Sequence, residues 1–461
     1  LDKIVPDYYH RLNDAGYIET STCCANTATE HNMMEKLMLD SLRTWATAYK
    51  VDGFRFDLMG HHTKANIEKA RDMLQSLTRE DDGVDGESIY LYGEGWNFGE
   101  VANNARFEQG TQANMGDGTG VGSFNDRMRD AVRGGGPFDQ GADHVRRQGF
   151  INGLYVDPNA LNSGADWERE ELLRLTDWIR LGLAGTLSDF QFQDRNGNLV
   201  MGRDIDYFGS PGAGYTSDPQ EVINYAAAHD NETLFDISQY KLPVGTSIDD
   251  RVRVANLANS IIALSQGVPF FHAGQDMLRS KSMDRNSYNS GDWFNVLDFG
   301  YETNGWGRGM PPFADNQNSW GEISPLLGNP ALGDIDRKDI RRANKHLKEM
   351  LRIRRSSELF RLRTGADVME RVEFHNTGPS QEPGLVVMSL RGDESIEIVV
   401  LFNAAPEAKT FFLDTGEDSE FELHDVQKDS HDPIVRTADY DDDARAFYVP
   451  ARTTAVFVVD D

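Results

Sequence analysis

Val51-Asp52-Gly53-Phe54-Arg55-Phe56-Asp57 is the stretch around which this 461-residue chain is organised. Apolar and polar residues mix over a short run, which predicts a buried strand that ends in a carboxylate. Residues two apart on a strand point the same way, so Arg55 and Asp57 share a face. A guanidinium at that position keeps the carboxylate ionised, as a nucleophile or an electrostatic stabiliser requires. A structural ion pair at a strand end is the alternative interpretation.

Two later stretches have the same form, a short apolar run that leads to an acid. Ile89-Tyr90-Leu91-Tyr92-Gly93-Glu94-Gly95-Trp96 delivers a carboxylate between glycines, followed by an indole. Val222-Ile223-Asn224-Tyr225-Ala226-Ala227-Ala228-His229-Asp230-Asn231 delivers a His-Asp-Asn sequence. Three strands that each carry an acid at the C-terminal end are typical of the active face of a (β/α) barrel. Two carboxylates beside a glycosidic bond, with a third nearby, indicate glycoside hydrolysis.

Three motifs carry a resemblance to a known family. FRFDLMG (54–60), YGEGW (92–96) and AAHDNETLFD (227–236) resemble the alpha-amylase superfamily of glycoside hydrolases, and within it the pullulanase or limit-dextrinase branch. The run GVPFFHAGQDMLRSKSMDRNSYNSGDWFN (267–295) and the Thr22-Cys23-Cys24 segment support the same assignment. The resemblance implies an α/β fold that is the C-terminal portion of such an enzyme. Residues 1–358 would be a partial (β/α)8 TIM-type barrel without its first strands, and residues 359–461 an antiparallel β-sandwich.

Local patterns agree with this division. Thr27-x-x-Glu30 has the form of a capping box that opens a helix running to about Tyr49, with Met and Trp side chains predicted in the core. From about Phe360 onward, clusters of β-branched residues separated by turns predict an all-β domain. Its acidic loop, residues 439–443, lacks the spacing of a helix-loop-helix calcium site and is interpreted as a solvated charge run.

Composition excludes several classes of function. The formal charge of −29, from 46 basic and 75 acidic residues, argues against nucleic-acid binding because phosphates would be repelled. No apolar run reaches the length of a membrane span. The adjacent pair Cys23 and Cys24 fits neither a disulfide framework nor a zinc site, and two free thiols are the simplest interpretation. The resemblance implies that no cofactor is needed for the chemistry; it leaves calcium open, without a recognisable ligand set.

The resemblance also implies a mechanism with retention of configuration. Asp57 matches the nucleophile, Glu94 the general acid, and Asp230 the third acid that binds sugar hydroxyls. Retention predicts roughly 5–5.5 Å between the carboxyl groups of Asp57 and Glu94. For the acid role Glu94 must carry a proton, and burial beside Trp96 would raise its pKa. The remaining candidates for substrate binding are Arg55, Trp96, His229, Asn231, Arg279, Asp284, Arg285 and Trp293.

The implied substrates are α-glucans with α-1,6 branches: pullulan, limit dextrins, and fragments of amylopectin or glycogen. Three alternatives stay open. An isoamylase-type or neopullulanase-type enzyme of the same superfamily uses the same acids, and so does a transglycosidase. A non-catalytic glucan-binding fragment is the third, because the family motif that carries an Asp and a His would lie upstream of this chain. For that reason we expect the 461 residues alone to be a poor catalyst.

Overall fold

The structure is a computed structural model that describes residues 1–208, 212–415 and 420–459. Its helices are α1 (Asn32–Tyr49), α2 (Lys64–Gln75), α3 (Gln112–Met115), α4 (Asp126–Arg133), α5 (Ala142–Arg146), α6 (Asp166–Leu183), α7 (Leu234–Lys241), α8 (Ile248–Ala263), α9 (Asp292–Asn295), α10 (Phe313–Asn316), α11 (Trp320–Leu327), α12 (Arg337–Ser356), α13 (Gly365–Arg371) and α14 (Asp425–Lys428). Its strands are β1 (Gly53–Phe56), β2 (Tyr90–Gly93), β3 (Gly122–Phe124), β4 (Gln191–Gln193), β5 (Leu199–Met201), β6 (Val222–Asn224), β7 (Val268–Pro269), β8 (Val372–His375), β9 (Leu385–Arg391), β10 (Ile396–Asn403), β11 (Lys409–Phe412), β12 (Phe421–Leu423), β13 (Asp439–Asp441), β14 (Ala446–Val449) and β15 (Thr453–Val459).

The chain divides into two compact units. The first unit comprises Leu1–Phe124 and Tyr215–Ile223, and the second unit comprises Asn125–Gly214 and Asn224–Asp461. Each unit has its own hydrophobic core. None of the helices in the described ranges has the length and apolar content needed to span a lipid bilayer.

The first unit is built on a parallel sheet. Strand β1 pairs with β2, β2 with β3, and β3 with β6, all in parallel. Helix α2 connects β1 to β2, and its buried Ile67, Ala70 and Leu74 recur at helical spacing. They pack in one core with side chains of α1 and of the strands, among them Phe56 and Leu91. Because parallel strands end at the same edge of a sheet, the residues after β1 and β2 come together there.

The start of α1 differs from the prediction. The helix begins at Asn32 after His31, and Thr27 lies in an isolated bridge with His10. The Glu30 carboxylate, instead of capping the helix, accepts hydrogen bonds from the Arg11 guanidinium at 2.9 Å. The predicted capping box was therefore wrong, because the Glu30 carboxylate pairs instead with Arg11, which lies 19 residues earlier in the sequence. Trp45 was also predicted in the core, yet it is 49% exposed.

The second unit contains three long helices and most of the buried apolar residues. Helix α12 carries Ile340, Ala343, Leu347, Met350 and Ile353 on its buried stripe, the spacing of one helix face. The helix begins with a capping box. The Asp336 side chain accepts hydrogen bonds from backbone N–H groups, and the Asp339 side chain accepts one from the Asp336 N–H. Buried side chains of α4, α6 and α8 join the same core.

Two antiparallel sheets complete the second unit. One has the order β12-β15-β10-β9-β8 and the other β11-β14-β13. Along β10, Val399 and Leu401 point to a core shared with Phe447 of the smaller sheet. The alternate residues Val400 and Phe402 point to the core formed with the helices. The predicted antiparallel sandwich is present, with both faces of its larger sheet buried. The domain boundary at 358/359 stays a prediction.

Candidate functional site

The first unit places Asp57 and Glu94 directly after β1 and β2. The glycines around them allow close packing at this edge. A Cβ on Gly93 would lie 2.7 Å from the Phe56 carbonyl oxygen, and one on Gly60 would lie 2.1 Å from the Trp96 carbonyl oxygen. Any side chain at these positions would separate the two strand ends. The glycines thus hold the two acid-bearing segments in contact.

Arg55 lies between the two carboxylates. Its Nη1 donates to Asp57 Oδ1 at 2.6 Å and its Nη2 donates to Glu94 Oε1 at 2.5 Å. The Leu58 backbone N–H donates to Glu94 Oε2 at 2.9 Å. One oxygen of Asp57 and one oxygen of Glu94 lie within 4.8 Å of each other. The predicted pairing of Arg55 and Asp57 on one face is confirmed.

The two acids differ in environment. The Asp57 side chain is 62% exposed, whereas that of Glu94 is 8% exposed. An accessible carboxylate with a cationic partner suits attack on a substrate, and a sheltered one suits proton transfer. Arg55 supplies positive charge between the acids. Trp96 follows on the same segment and is half-buried.

A second ionic cluster in the first unit escaped the sequence analysis. The Arg11 guanidinium, 1% exposed, donates to Glu30, to Glu100 Oε1 at 2.8 Å and to the His61 carbonyl at 2.9 Å. Glu100 also accepts hydrogen bonds from Asn26 and Ser21. These partners are 19 to 89 residues apart in sequence, so no local pattern reveals them. The cluster fixes the segment that carries the two cysteines.

Cys23 and Cys24 lie near the candidate nucleophile. Both are free and exposed, and their sulfur atoms are 2.8 Å apart. The hydrogen bond with Cys24 raises the pKa of Cys23 to about 11, with a smaller contribution from the negative charge of Asp57. At neutral pH the Cys23 thiol therefore stays protonated. The pair therefore lies in a segment close enough to Asp57 for its charge to act on the Cys23 thiol.

Acid should weaken the first unit through Glu100. Burial opposes ionisation, but hydrogen bonds from Ser21, Arg11 and Asn26 lower the pKa of this carboxyl from 4.5 to about 2. A depressed carboxyl pKa adds stability that is complete above the unfolded value and is lost as the pH falls toward the folded value. We expect the urea midpoint of wild type to fall between about pH 4.5 and pH 2. In Glu100→Gln the urea midpoint should fall less steeply with pH over this range. Exposed Glu108→Gln is the control, and its urea midpoint should depend on pH as that of wild type does.

The second unit carries the third candidate acid on an exposed turn. The side chains of His229 and Asp230 are 55% and 71% exposed, with Nε2 and Oδ1 3.6 Å apart. Asn231 follows with a φ of 62° in the left-handed region. Its Nδ2 donates to the Pro137 carbonyl at 2.9 Å. Asn231 is therefore a structural part of the turn.

The other predicted binding residues of the second unit have mixed environments. Arg285 Nη2 donates to the Pro137 carbonyl at 2.7 Å, which ties it to the same loop as Asn231. Asp284 is fully buried and accepts from Asn316, Ser290 and the Asn286 N–H. Its carboxylate thus organises the loop and is buried, and the predicted binding role stays a prediction. Trp293 is 62% exposed, its Nε1 donates to the Arg308 carbonyl at 2.8 Å, and the Arg308 guanidinium lies 5.3 Å from its ring centre.

Arg279 is half-buried. Its guanidinium donates to the Asn295 carbonyl at 2.9 Å and lies 3.3 Å from His272 Nε2. Burial and the charge of Arg279 lower the pKa of His272 to about 3, so the imidazole is neutral. Asp236 and Lys281 are two buried residues that the sequence analysis did not single out. The Asp236 carboxylate accepts from the Lys281 backbone N–H, and Lys281 Nζ donates to a backbone carbonyl. Both lie inside long motifs, where only the spatial contacts reveal their partners.

Comparison with known proteins adds the following relationships. Residues 301–460 match the family described as alpha-1,6-glucosidases, pullulanase-type, C-terminal. A chloroplastic pullulanase 1 of Arabidopsis thaliana is 50% identical over 99% of this chain and 48% of its own length. A pullulanase of Klebsiella pneumoniae is 42% identical over 90% of this chain and 38% of its own. The chain thus spans about half or less of the length of these relatives.

Solved structures of pullulanases are similar to this chain as well. A maltotriose complex of PulA from Klebsiella pneumoniae superposes with a TM-score of 0.91 at 39% identity. The match covers 99% of this chain and 48% of that chain. The fold described above, including the β-rich C-terminal part, is therefore that of the matched region.

Proposed function

We propose, from its relationship to the pullulanases, that this chain carries the acids of a glycoside hydrolase that cleaves α-1,6 linkages in α-glucans. The observation that carries the proposal is the pair formed by Asp57 and Glu94. Their oxygens lie within 4.8 Å of each other, and Arg55 donates to both. Two carboxylates at this separation suit the retaining mechanism, because inverting enzymes need roughly 6.5–9.5 Å to admit a water molecule.

In this mechanism Asp57 is the nucleophile. It attacks the anomeric carbon, and the bond to the departing glycosidic oxygen breaks, which gives a glycosyl-enzyme ester. Its exposure leaves a path for the substrate, and the Arg55 guanidinium donates a hydrogen bond to it at 2.6 Å. A water molecule then attacks the same carbon and releases the sugar with its original configuration.

Glu94 supplies the proton to the leaving oxygen and takes one from the attacking water. Its burial disfavours the charged form, whereas Arg55 and the Leu58 N–H favour it. For the first step Glu94 must carry a proton when the substrate is bound.

Further residues are candidates for sugar binding. Asp230 and His229 are assigned to sugar hydroxyl groups, because both side chains are exposed on their turn. Trp96 and Trp293 are assigned to stacking on glucose rings. Asn231, Arg279, Asp284 and Arg285 are assigned to shaping the loops that carry these contacts, since their polar atoms already have protein partners.

The fold assignment follows the same relationship. We propose that the parallel strands and helices within residues 1–358 form part of a (β/α)8 barrel, with the sandwich at 359–461 as a separate domain. The substrates are pullulan, limit dextrins and branched fragments of amylopectin or glycogen. The chemical step uses carboxylates alone and needs no cofactor. Calcium, where bound, would be structural.

Digestion of pullulan tests the proposal directly. We expect long incubation of the chain with pullulan to release maltotriose, since only the α-1,6 bonds between maltotriose units are cut. Chromatographic identification of the product is independent of the rate. Panose would indicate neopullulanase activity, and longer oligosaccharides would indicate glycosyl transfer. Retained binding of pullulan with no product at all would indicate a glucan-binding protein and contradict the proposal.

A further inference from the structure

A buried lysine holds the turn that bears Asp230. Lys281 is 1% exposed, and its Nζ donates to the Asn231 carbonyl at 2.7 Å. Burial lowers the pKa of this ammonium group, and the nearby carboxylates of Asp236, Glu232 and Asp284 act in the opposite direction. A charged donor to a buried carbonyl is among the stronger hydrogen bonds in proteins. The contact therefore constrains the backbone one residue after the proposed catalytic acid.

Asp236 in turn holds the segment that presents the lysine. This fully buried carboxylate accepts hydrogen bonds from Ser280 Oγ at 2.5 Å and from the Lys281 N–H at 2.7 Å. Burial raises the pKa of Asp236 to about 6 against the effect of these donors. Two residues that follow, Ser282 and Met283, have φ of 51° and 65°. Such conformations are energetically unfavourable for residues other than glycine and persist only where the surroundings fix them.

The turn is held from a second direction through Asn231. Its own φ is in the left-handed region, its side chain donates to the Pro137 carbonyl, and its carbonyl accepts from Lys281. With both ends of this residue fixed, the preceding Asp230 has little freedom in its backbone although its side chain is exposed. Exposed acids on loops are otherwise free to sample many orientations.

We propose that Lys281 is a positioning residue for Asp230, which it orients through the Asn231 carbonyl. The inference rests on the proposed function, in which Asp230 binds sugar hydroxyls more strongly in the transition state. Lys281 contacts no substrate in this assignment. Its effect is to keep the turn in the one conformation from which the carboxylate can act.

A double-mutant cycle separates positioning from general support of the fold. We expect Lys281→Met to lower kcat on pullulan at least about tenfold with KM changed less than about threefold, because the lost interaction belongs to the transition state. In an Asp230→Asn background the same substitution should lower kcat less than about twofold, since its target is already removed. Equal losses in both backgrounds would overturn the proposal.

Hydrogen exchange gives a readout that does not need activity. In the folded chain, Lys281→Met should speed exchange in residues 228–234 at least about tenfold while residues 248–263 stay unchanged. Arg251→Met is the matched control. It removes another buried cation, whose acceptors are Gln239 Oε1 and the carbonyls of Thr246 and Pro243. Faster exchange of residues 228–234 in the control as well would contradict the assignment to Lys281.

A second variant and the activity of wild type separate a failure of this proposal from a failure of the proposed function. Where Lys281→Met does not fold, Lys281→Gln keeps an N–H donor and should show the same pattern with a smaller amplitude. Unchanged exchange of the turn in folded Lys281→Gln would then contradict the proposal. A wild-type chain that releases no maltotriose contradicts the proposed function, and the exchange measurement then decides the positioning of the turn alone.

Discussion

Asp57→Ala is expected to lower kcat on pullulan by roughly 10⁴-fold or more, the scale on which an essential catalytic group fails. The exposed carboxylate is lost, while the Arg55 contact with Glu94 remains. The protein should fold normally, because an exposed side chain contributes little to packing. Initial rates of reducing-sugar release, with thermal unfolding as the check on folding, measure the effect.

Azide distinguishes a nucleophile from a structural acid in this variant. In Asp57→Ala the anion can enter the space left by the carboxylate and attack a maltotriosyl substrate with a good leaving group. The resulting glycosyl azide should have inverted configuration, because the attack comes from the nucleophile's face. Asp52→Ala, an exposed acid five residues earlier in the chain, is the control and should retain wild-type rates. An azide product of retained configuration would contradict the role of Asp57.

The sequence indicated the site well where neighbours along a strand define it. Arg55 and Asp57 are two residues apart, so strand geometry alone predicts their pairing. Glu94 was found because it ends a strand parallel to the first. Arg11 was missed because its acidic partners are 19 and 89 residues away in sequence and nothing local marks them. Long-range ion pairs depend on the tertiary fold, which a local pattern does not encode.

The predictions that were wrong also failed because of contacts that depend on the tertiary fold. Thr27 and Glu30 have capping-box spacing, but the Arg11 guanidinium takes the acid, and the helix begins at Asn32. Trp45 has the spacing of a core residue, but its helix exposes that position. Asp284 is a different case, because its oxygens accept hydrogen bonds from its own loop and its role in substrate binding stays a prediction. A polar or aromatic residue in a motif can thus serve its own segment, and only contacts separate the two cases.

Lys281 shows how a long motif combines the two kinds of residue. The run 267–295 contains exposed Trp293, buried Asp284 and buried Lys281, which the sequence presents as one polar stretch. The structure separates them by partner: Trp293 faces solvent, whereas Lys281 reaches the backbone of a segment 50 residues earlier. The proposed chemistry therefore includes a group, Lys281, that acts on the site only through the backbone.

Glu94→Gln is expected to lower kcat on pullulan by about 10²–10⁴-fold, the usual contribution of general acid–base catalysis. Glutamine keeps the shape of the side chain but cannot donate the proton that the glycosidic oxygen needs. Hydrolysis of a maltotriosyl fluoride should suffer much less in the first step, because fluoride departs without protonation. The ratio of the two losses measures the acid role, and added azide should give a product of retained configuration. Glu108→Gln is the matched control, and equal losses on both substrates would show that Glu94 acts other than as the acid.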